Sequence, residues 1–294
     1  MSRTEEMIAR AMALPVWTAP HSPQILGGGI TNVNIKLQDN GKSYVVRVGT
    51  DIDTHLIKRF NEQACHQASE RAGLSPRIIH ADDGVLAMTF IEGAVLRADT
   101  AATPEMVERI AALLRHLHDQ ATKLLRGPVL VFWVFHVLRD YAARLESQSS
   151  PYQGQLADLM AQAERLETAL GPVSLALTHN DLLPANLIDS GDKLWLIDWD
   201  YGGFNTPLFD LASIASNCGF SPVLHQRLLE AYYDAPAPAA LYKRFRAMLA
   251  ASLLRETMWS MVSERASDIA FDYAAYTAQN HARFNQAYTD FLNS

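Results

Sequence analysis

Cysteine is almost absent from the sequence: Cys65 and Cys218 are the only two in 294 residues. A pair so distant makes neither a disulfide framework nor a zinc-ligand cluster. Long apolar runs are missing too. The longest, GPVLVFWVF, falls far short of the roughly 20 residues a membrane-spanning helix needs, so no membrane insertion is expected. Positive charge is in deficit, with 25 Lys and Arg against 32 Asp and Glu and a net charge of -7. That balance argues against a nucleic-acid partner, which needs a basic surface. The N-terminal MSRTEEMIARAMALP has early acids and no apolar core, so no export signal is expected and a cytoplasmic location follows. Internal repeats are lacking, and the APAPAA stretch is too brief to count as low complexity. What remains is 49% apolar and 19% charged, ordinary for a globular chain long enough to hold one large or two modest cores.

The chain is organised around residues 177–200, LTHNDLLPANLIDSGDKLWLIDWD. Two apolar runs that read as short strands flank a turn at Gly191. Polar residues stand at both ends: His179, Asp181 and Asn186 on one side, Asp198 and Asp200 on the other. Such groups beside Val-, Leu- and Trp-rich strands are costly unless paired or bound to a metal. A carboxylate five residues before an amide, with a second carboxylate across a hairpin, can converge on a divalent cation that carries phosphate oxygens.

Upstream, residues 3–13 suit a short amphipathic helix and residues 16–24 an irregular stretch. ILGGGITNVNIKLQD reads as strand, glycine turn and strand. Asn40-Gly41 is the strongest hairpin signal in the chain, and KSYVVRVG is the next strand. A helix over residues 56–71, stopped by Gly73, precedes strands at 76–80 and 85–91. Residues 1–92 therefore form a small lobe, an antiparallel sheet with one inserted helix. Residues 93–294 form a larger lobe, with helices at 104–119, 129–146 and 153–169 and mostly helix from Asp210 onward. The fold class expected is α+β with two lobes.

Gly27, Gly28 and Gly29 in this context suit either an adaptable surface turn or close approach of backbone N–H groups to a phosphate chain, with Thr31 and Asn32 shaping the loop. No βαβ unit follows, and no Gly-Lys-Ser/Thr, so neither a dinucleotide fingerprint nor a P-loop is present. Arg47 sits inside YVVRVG on the same strand face as Val45 and Gly49, opposite Val46 and Val48. Glu62 lies on the following helix. A pair between them would hold the guanidinium over the cavity that the glycine loop roofs, facing phosphate oxygens.

On these motifs the chain resembles the choline/ethanolamine kinase family, within the aminoglycoside phosphotransferase-like, protein-kinase-like superfamily. LGGGITNVNIKL looks like its nucleotide-binding hairpin, AMTFIEG like the hinge between lobes, and THNDLLPANLI like its His-x-Asp-x4-Asn catalytic loop. LIDWD is similar to the metal-binding strand, and GFNTPLFDLA to the segment after it. His-Asn-Asp at 179–181 and arginine at 47 favour this branch over the antibiotic kinases. The resemblance implies a protein-kinase-like fold and transfer of the γ-phosphoryl of ATP to an alcohol. It makes Asp181 the base, Asn186 and Asp198 the Mg²⁺ ligands, and Arg47, held by Glu62, a phosphate contact. Thr89 and Ile91 would offer backbone groups to adenine. His179 and Asp210 would brace the catalytic loop.

The acceptor expected is a small amino alcohol, choline or ethanolamine. A quaternary ammonium is held by aromatic faces with a carboxylate at a distance. Tyr201, Glu256, Trp259, Tyr273 and Tyr276 are the candidates, with Asp200 adding negative potential near metal or substrate. Glu256 and Trp259 are three apart and share a helix face. Choline kinases carry a second Trp one turn before this one, where this chain has Glu256, a change that suits an acceptor with N–H donors. A thiamine, sugar or aminoglycoside kinase and a nucleotide-binding protein without turnover are the rival readings. Oligomerisation is left open.

Overall fold

In the computed structural model, which describes residues 3–27, 32–267 and 271–294, the chain opens with helix α1 (Arg3–Met12) and an edge strand, β1 (His21–Leu26). The strand begins inside the stretch expected to be irregular. An edge position accommodates Pro23 and the bulge between His21 and Gln24. Strands β2 (Val33–Asp39) and β3 (Lys42–Val48) follow. Asn40 and Gly41 between them have φ of 49° and 71°, the positive values that a tight type I′ hairpin requires. Helix α2 (Arg59–Arg71) and strands β4 (Ile78–Asp82) and β5 (Val85–Thr89) complete the small lobe. Its sheet is antiparallel throughout, in the order β1-β2-β3-β5-β4.

The two faces of this sheet do different jobs. Ile35, Leu37, Val46, Val48 and Ala87 are buried against α1 and form the small core. Alternation along β3 turns Val45 and Arg47 the other way, onto the cleft. Helix α2 starts three residues later than its apolar pattern suggests. Leu56 has φ of 60° and Lys58 is extended, and the Asp51 carboxylate accepts the Arg59 N–H at 2.8 Å. A cap supplied from outside the helix thus sets its start. Its residues Cys65 and Ala68 belong to the large core, not the small one. That packing depends on Gly202, where a Cβ would lie 2.7 Å from the Cβ of Cys65.

After β5 the chain enters the larger, mostly helical lobe: β6 (Ala94–Val95), α3 (Ala98–Ala101), α4 (Pro104–His116), α5 (Thr122–Leu124), α6 (Val134–Ser147), α7 (Gln153–Leu170), β7 (Ala176–Thr178), β8 (Leu187–Asp189), β9 (Leu194–Leu196), β10 (Gly203–Asn205), α8 (Pro207–Asn217), α9 (Pro222–Tyr233), α10 (Ala239–Ala266) and α11 (Tyr273–Leu292). Thr103 caps α4 through its hydroxyl, with Pro104 in the first turn. A wide i→i+5 turn, Leu117–Ala121, replaces the expected last turn of α4. Helix α6 begins at 134 rather than 129, because β10 recruits the preceding residues: Phe204 N–H donates to Leu130 and Phe132 N–H to Phe204, both at 2.9 Å. Helix α10 runs through the middle of the lobe, buried on several sides from Phe245 to Ser263. None of the described helices is long and apolar enough to cross a membrane.

Two buried imidazoles make stability sensitive to acid. Burial lowers His55 from 6.5 to about 3, helped by Arg255 and Arg144. Burial likewise lowers His66 to about 4, against its bond to the Pro76 carbonyl. Both are neutral when folded and protonate readily only when unfolded. Their contribution is therefore full above pH 6.5 and is lost as pH falls toward 3–4. Each loses roughly 1.4 kcal/mol per pH unit in that window. Asp181 and Glu62, which burial pushes up to about 7, change in the opposite sense over the same range, so the test compares wild type with His66→Gln. Between pH 7 and pH 5 the melting midpoint of the variant is expected to fall less than that of wild type, by on the order of 5 °C; an equal fall in both would show that the His66 ring is already charged in the fold.

Candidate active site

The loop between β7 and β8 is held from below by one carboxylate. Asp210, fully buried in the first turn of α8, accepts the backbone N–H groups of His179 and Asn180, each at 2.8 Å. Its Oδ2 also lies 3.0 Å from His118 Nε2, whose Nδ1 is 2.8 Å from the Tyr232 hydroxyl. The wide turn after α4 is what brings His118 there. Asn180 has φ of 65°, a left-handed conformation that asparagine tolerates. The His179 ring packs against Trp199 at a tilt, with 4.8 Å between ring centroids. Its Nε2 donates to the Ile197 carbonyl at 2.9 Å and its Nδ1 accepts the Asp181 N–H at 3.3 Å. Burial lowers its pKa, consistent with a neutral ring that fixes the loop.

This scaffold presents Asp181 and Asn186. Asn186 Nδ2 donates to the Asp181 carbonyl at 2.9 Å, which orients the amide. The Asp181 carboxylate pairs with Arg255 Nη1 at 3.2 Å. Burial pushes Asp181 up to about 7, against Arg255 and together with Glu256 and Asp198. Asp198 follows β9 with φ of 70°.

Asn186 and Asp198 border a cleft of about 390 Å³ between the sheet and the loop joining β7 to β8, with Gly27, Val45, Arg47, Met88, Thr89 and Ile91 among its walls. Arg47 is its ionic centre. Nη1 meets Glu62 at 3.0 Å, while Nη2 meets Asp198 at 2.6 Å and Asp200 at 3.2 Å. Burial works against the Arg47 charge, but Asp198, Asp200 and Glu62 together outweigh it and raise its pKa. A second cation, Arg59, bridges Glu62 and Asp200 through Nη1, the latter at 2.9 Å.

Residues 23–243 match the phosphotransferase enzyme family. The chain belongs to that family. It lies on the choline/ethanolamine kinase-like branch of the protein-kinase-like superfamily. Protein LicA of Haemophilus influenzae is 29% identical over 258 residues, covering 84% of this chain and 75% of its own. Ethanolamine kinase 2 of Mus musculus is 25% identical over 291 residues, covering 88% and 73%. A solved structure of a choline/ethanolamine kinase family protein from Mesorhizobium loti superposes with a TM-score of 0.81 at 26% identity, over 97% of this chain and 94% of that one. The molecule is therefore an ATP-dependent phosphotransferase that acts on a small alcohol, and its two-lobe architecture is that of the protein kinases.

Several residues of the phosphotransferase stand where sequence reasoning did not put them. Asp200, expected to add negative potential near metal or substrate, turns its carboxylate to Arg47, Arg59 and Asn32, the last donating from Nδ2 at 2.8 Å. The reason is charge: two guanidiniums on that side need a third carboxylate besides Glu62 and Asp198. Asn32 is accordingly fastened to Asp200 and packed so closely on Gly49 that a Cβ there would lie 2.1 Å from its Oδ1. Thr89 uses its N–H on the Arg77 carbonyl at 2.9 Å, so that donor is not available to a base. Gly28, Gly29 and Thr31 lie outside the described residues.

On the other side of Asp181, α10 and α11 supply an aromatic wall. Trp259 Nε1 donates to the Tyr201 hydroxyl at 2.9 Å. Its ring lies 6.1 Å from Tyr273, 6.4 Å from Tyr276 and 5.2 Å from His55. Glu256 accepts from the Tyr276 hydroxyl at 2.7 Å and pairs with Arg255 at 2.9 Å. Arg59 and Arg255 were both missed in the sequence. Arg59 had a signal, its i,i+3 spacing to Glu62. Arg255 had none, since a basic residue beside an acidic one on a helix reads as solvated surface.

Proposed function

We propose that this chain is a Mg²⁺-dependent kinase that moves the γ-phosphoryl group of ATP to the hydroxyl of a small amino alcohol, choline or ethanolamine. The observation that carries the reading is the placement of Asp181. Its carboxylate pairs with Arg255, which packs over the Tyr201 ring of the aromatic wall, while its carbonyl holds Asn186 at the border of the cleft that Arg47 and Asp198 also line. A hydroxyl held at Asp181 would face a nucleotide phosphate in that cleft, and positioning of this kind supplies much of the catalysis in phosphoryl transfer.

The donor set suits Mg²⁺, which prefers hard oxygens. Asp198 keeps part of its carboxylate open to the cleft, and Asn186 has its amide nitrogen committed to Asp181, leaving the amide oxygen for another partner. Bound there, Mg²⁺ would neutralise negative charge on the phosphates of ATP. In this reading Arg47 contacts nonbridging oxygens and Glu62 keeps its guanidinium in place. Asp181 orients the hydroxyl and takes its proton as the bond to phosphorus forms. Thr89, through its carbonyl, and Ile91 border the adenine. Glu256 faces the ammonium, and the rings of Trp259, Tyr201 and Tyr273 bound its apolar side. The names of the relatives, an ethanolamine kinase and a choline/ethanolamine kinase family protein, support the same acceptor class.

The test is an ATP-consumption assay against choline, ethanolamine, the methylated ethanolamines, thiamine and an aminoglycoside. Choline or ethanolamine is expected to exceed the last two in kcat/KM by at least about tenfold. A preference for thiamine or the aminoglycoside would overturn the acceptor assignment. Mg-ATP binding without turnover of any alcohol would overturn the kinase reading.

A further inference from the structure

Arg255 is the best-buried charged residue on the acceptor side of Asp181, and it is committed through a single nitrogen. Its Nη1 lies 3.2 Å from Asp181 Oδ1 and 2.9 Å from Glu256 Oε2. Nε and Nη2 are buried and have no hydrogen-bond partner among the described residues. The guanidinium instead packs over the Tyr201 ring, 4.3 Å from its centroid, with Phe132 at 5.8 Å. Stacking of this kind fixes the plane of the fork, and with it the direction of Nη1. The exposures run in a consistent order. The side chain of Arg255 is 5% exposed, while those of Asp181 and Glu256 are 20% and 16% exposed. The cation thus sits behind, and the two carboxylates sit in front.

We infer that Arg255 is a positioning residue that sets the spacing between Asp181 and Glu256 and so selects acceptors by the distance between hydroxyl and amine. The inference rests on the kinase reading above, in which Asp181 takes the hydroxyl and Glu256 the ammonium. Because one nitrogen holds both, Asp181 Oδ1 and Glu256 Oε2 lie no farther apart than the two contacts laid end to end, about 6 Å. A hydroxyl and an ammonium each stand a further hydrogen bond into the same opening, about 2.8 Å from their carboxylates. Neither carboxylate can move outward without breaking its contact to Nη1, so the matching acceptor is short. Two carbons between oxygen and nitrogen give a separation of about 3 to 4 Å, and three carbons give about 5 Å. A hydroxyl stretched over the longer span loses its alignment with Asp181, which is a loss in kcat rather than in binding. Tyr276, donating to the other oxygen of Glu256 at 2.7 Å, keeps that carboxylate from following a longer acceptor.

The experiment compares ethanolamine with 3-aminopropan-1-ol in the full-length wild type, Arg255→Met, Arg255→Lys and Glu256→Gln, with KM for ATP measured alongside. Wild type is expected to favour the two-carbon acceptor by at least about tenfold in kcat/KM, mainly through kcat. Arg255→Met should bring that ratio near one while KM for ATP stays put. Arg255→Lys should recover part of it, since an ammonium can bridge two carboxylates but cannot stack on Tyr201. Glu256→Gln keeps the Arg255–Asp181 pair and should also collapse the ratio, which covers the case in which Arg255→Met does not fold. A ratio that survives in either Arg255→Met or Glu256→Gln overturns the inference while leaving the kinase reading intact. Failure of wild type to phosphorylate ethanolamine, 3-aminopropan-1-ol or choline overturns the kinase reading itself, and turnover of choline alone overturns the inference only.

Discussion

Replacing Asp181 with alanine is expected to lower kcat by about a thousandfold, with the dissociation constant for Mg-ATP nearly unchanged. The carboxylate pairs with Arg255, whereas Arg47 is held by Glu62, Asp198 and Asp200, so the ionic centre of the cleft survives its removal. The bond from Asn186 Nδ2 goes to the Asp181 carbonyl, not to its side chain, so the loop keeps its shape. Asp181→Asn sharpens the test, since it preserves size and hydrogen bonding but cannot accept the proton. Single-turnover kinetics at saturating ATP give kcat, and equilibrium titration with a nucleotide analogue gives affinity. Turnover near the wild-type rate in either variant would remove Asp181 from its role. An equal loss of nucleotide affinity would move it to the phosphate side.

The second large effect is expected at Asp198. Asp198→Asn should cut kcat by about a hundred- to a thousandfold and shift the Mg²⁺ concentration for half-maximal activity upward. Asparagine is the right substitute because residue 198 has φ of 70°, where a β-branched or bulky side chain would be strained and the effect could not be assigned. The variant removes one charge from the proposed metal ligand and also weakens the 2.6 Å contact to Arg47. Arg47 keeps Glu62 and Asp200, so its position is retained. A Mg²⁺ titration with an unmoved midpoint would show that Asp198 serves only as the partner of Arg47.

Local signals carried much of this molecule. Asn40-Gly41 specified a hairpin because few dipeptides take positive φ twice in succession. Thr103-Pro104 started a helix because capping and the absence of a proline N–H act within a few residues. The spacing of Asp181, Asn186 and Asp198 was visible for the same reason: one short loop and one adjoining hairpin position all three. Family, two-lobe class and phosphoryl chemistry were thus open to a reader of the sequence alone.

What tertiary structure decided involves partners far apart in the chain. Arg255 meets Asp181 across 74 residues, and Arg59 meets Asp200 across 141; no periodicity or propensity encodes such a pairing. Asp200 turned to the small lobe because two guanidiniums waited there, and the residues before α6 became extended because β10 offered them backbone bonds. Helix α2 began late because Asp51 capped it from outside. In each case the local preference was worth a few tenths of a kcal/mol, and a buried charge or an unpaired backbone group costs more than that. The sequence therefore determined the reaction, and the ion pairs assembled by folding determined which carboxylate turns to Arg47 and which to Arg255.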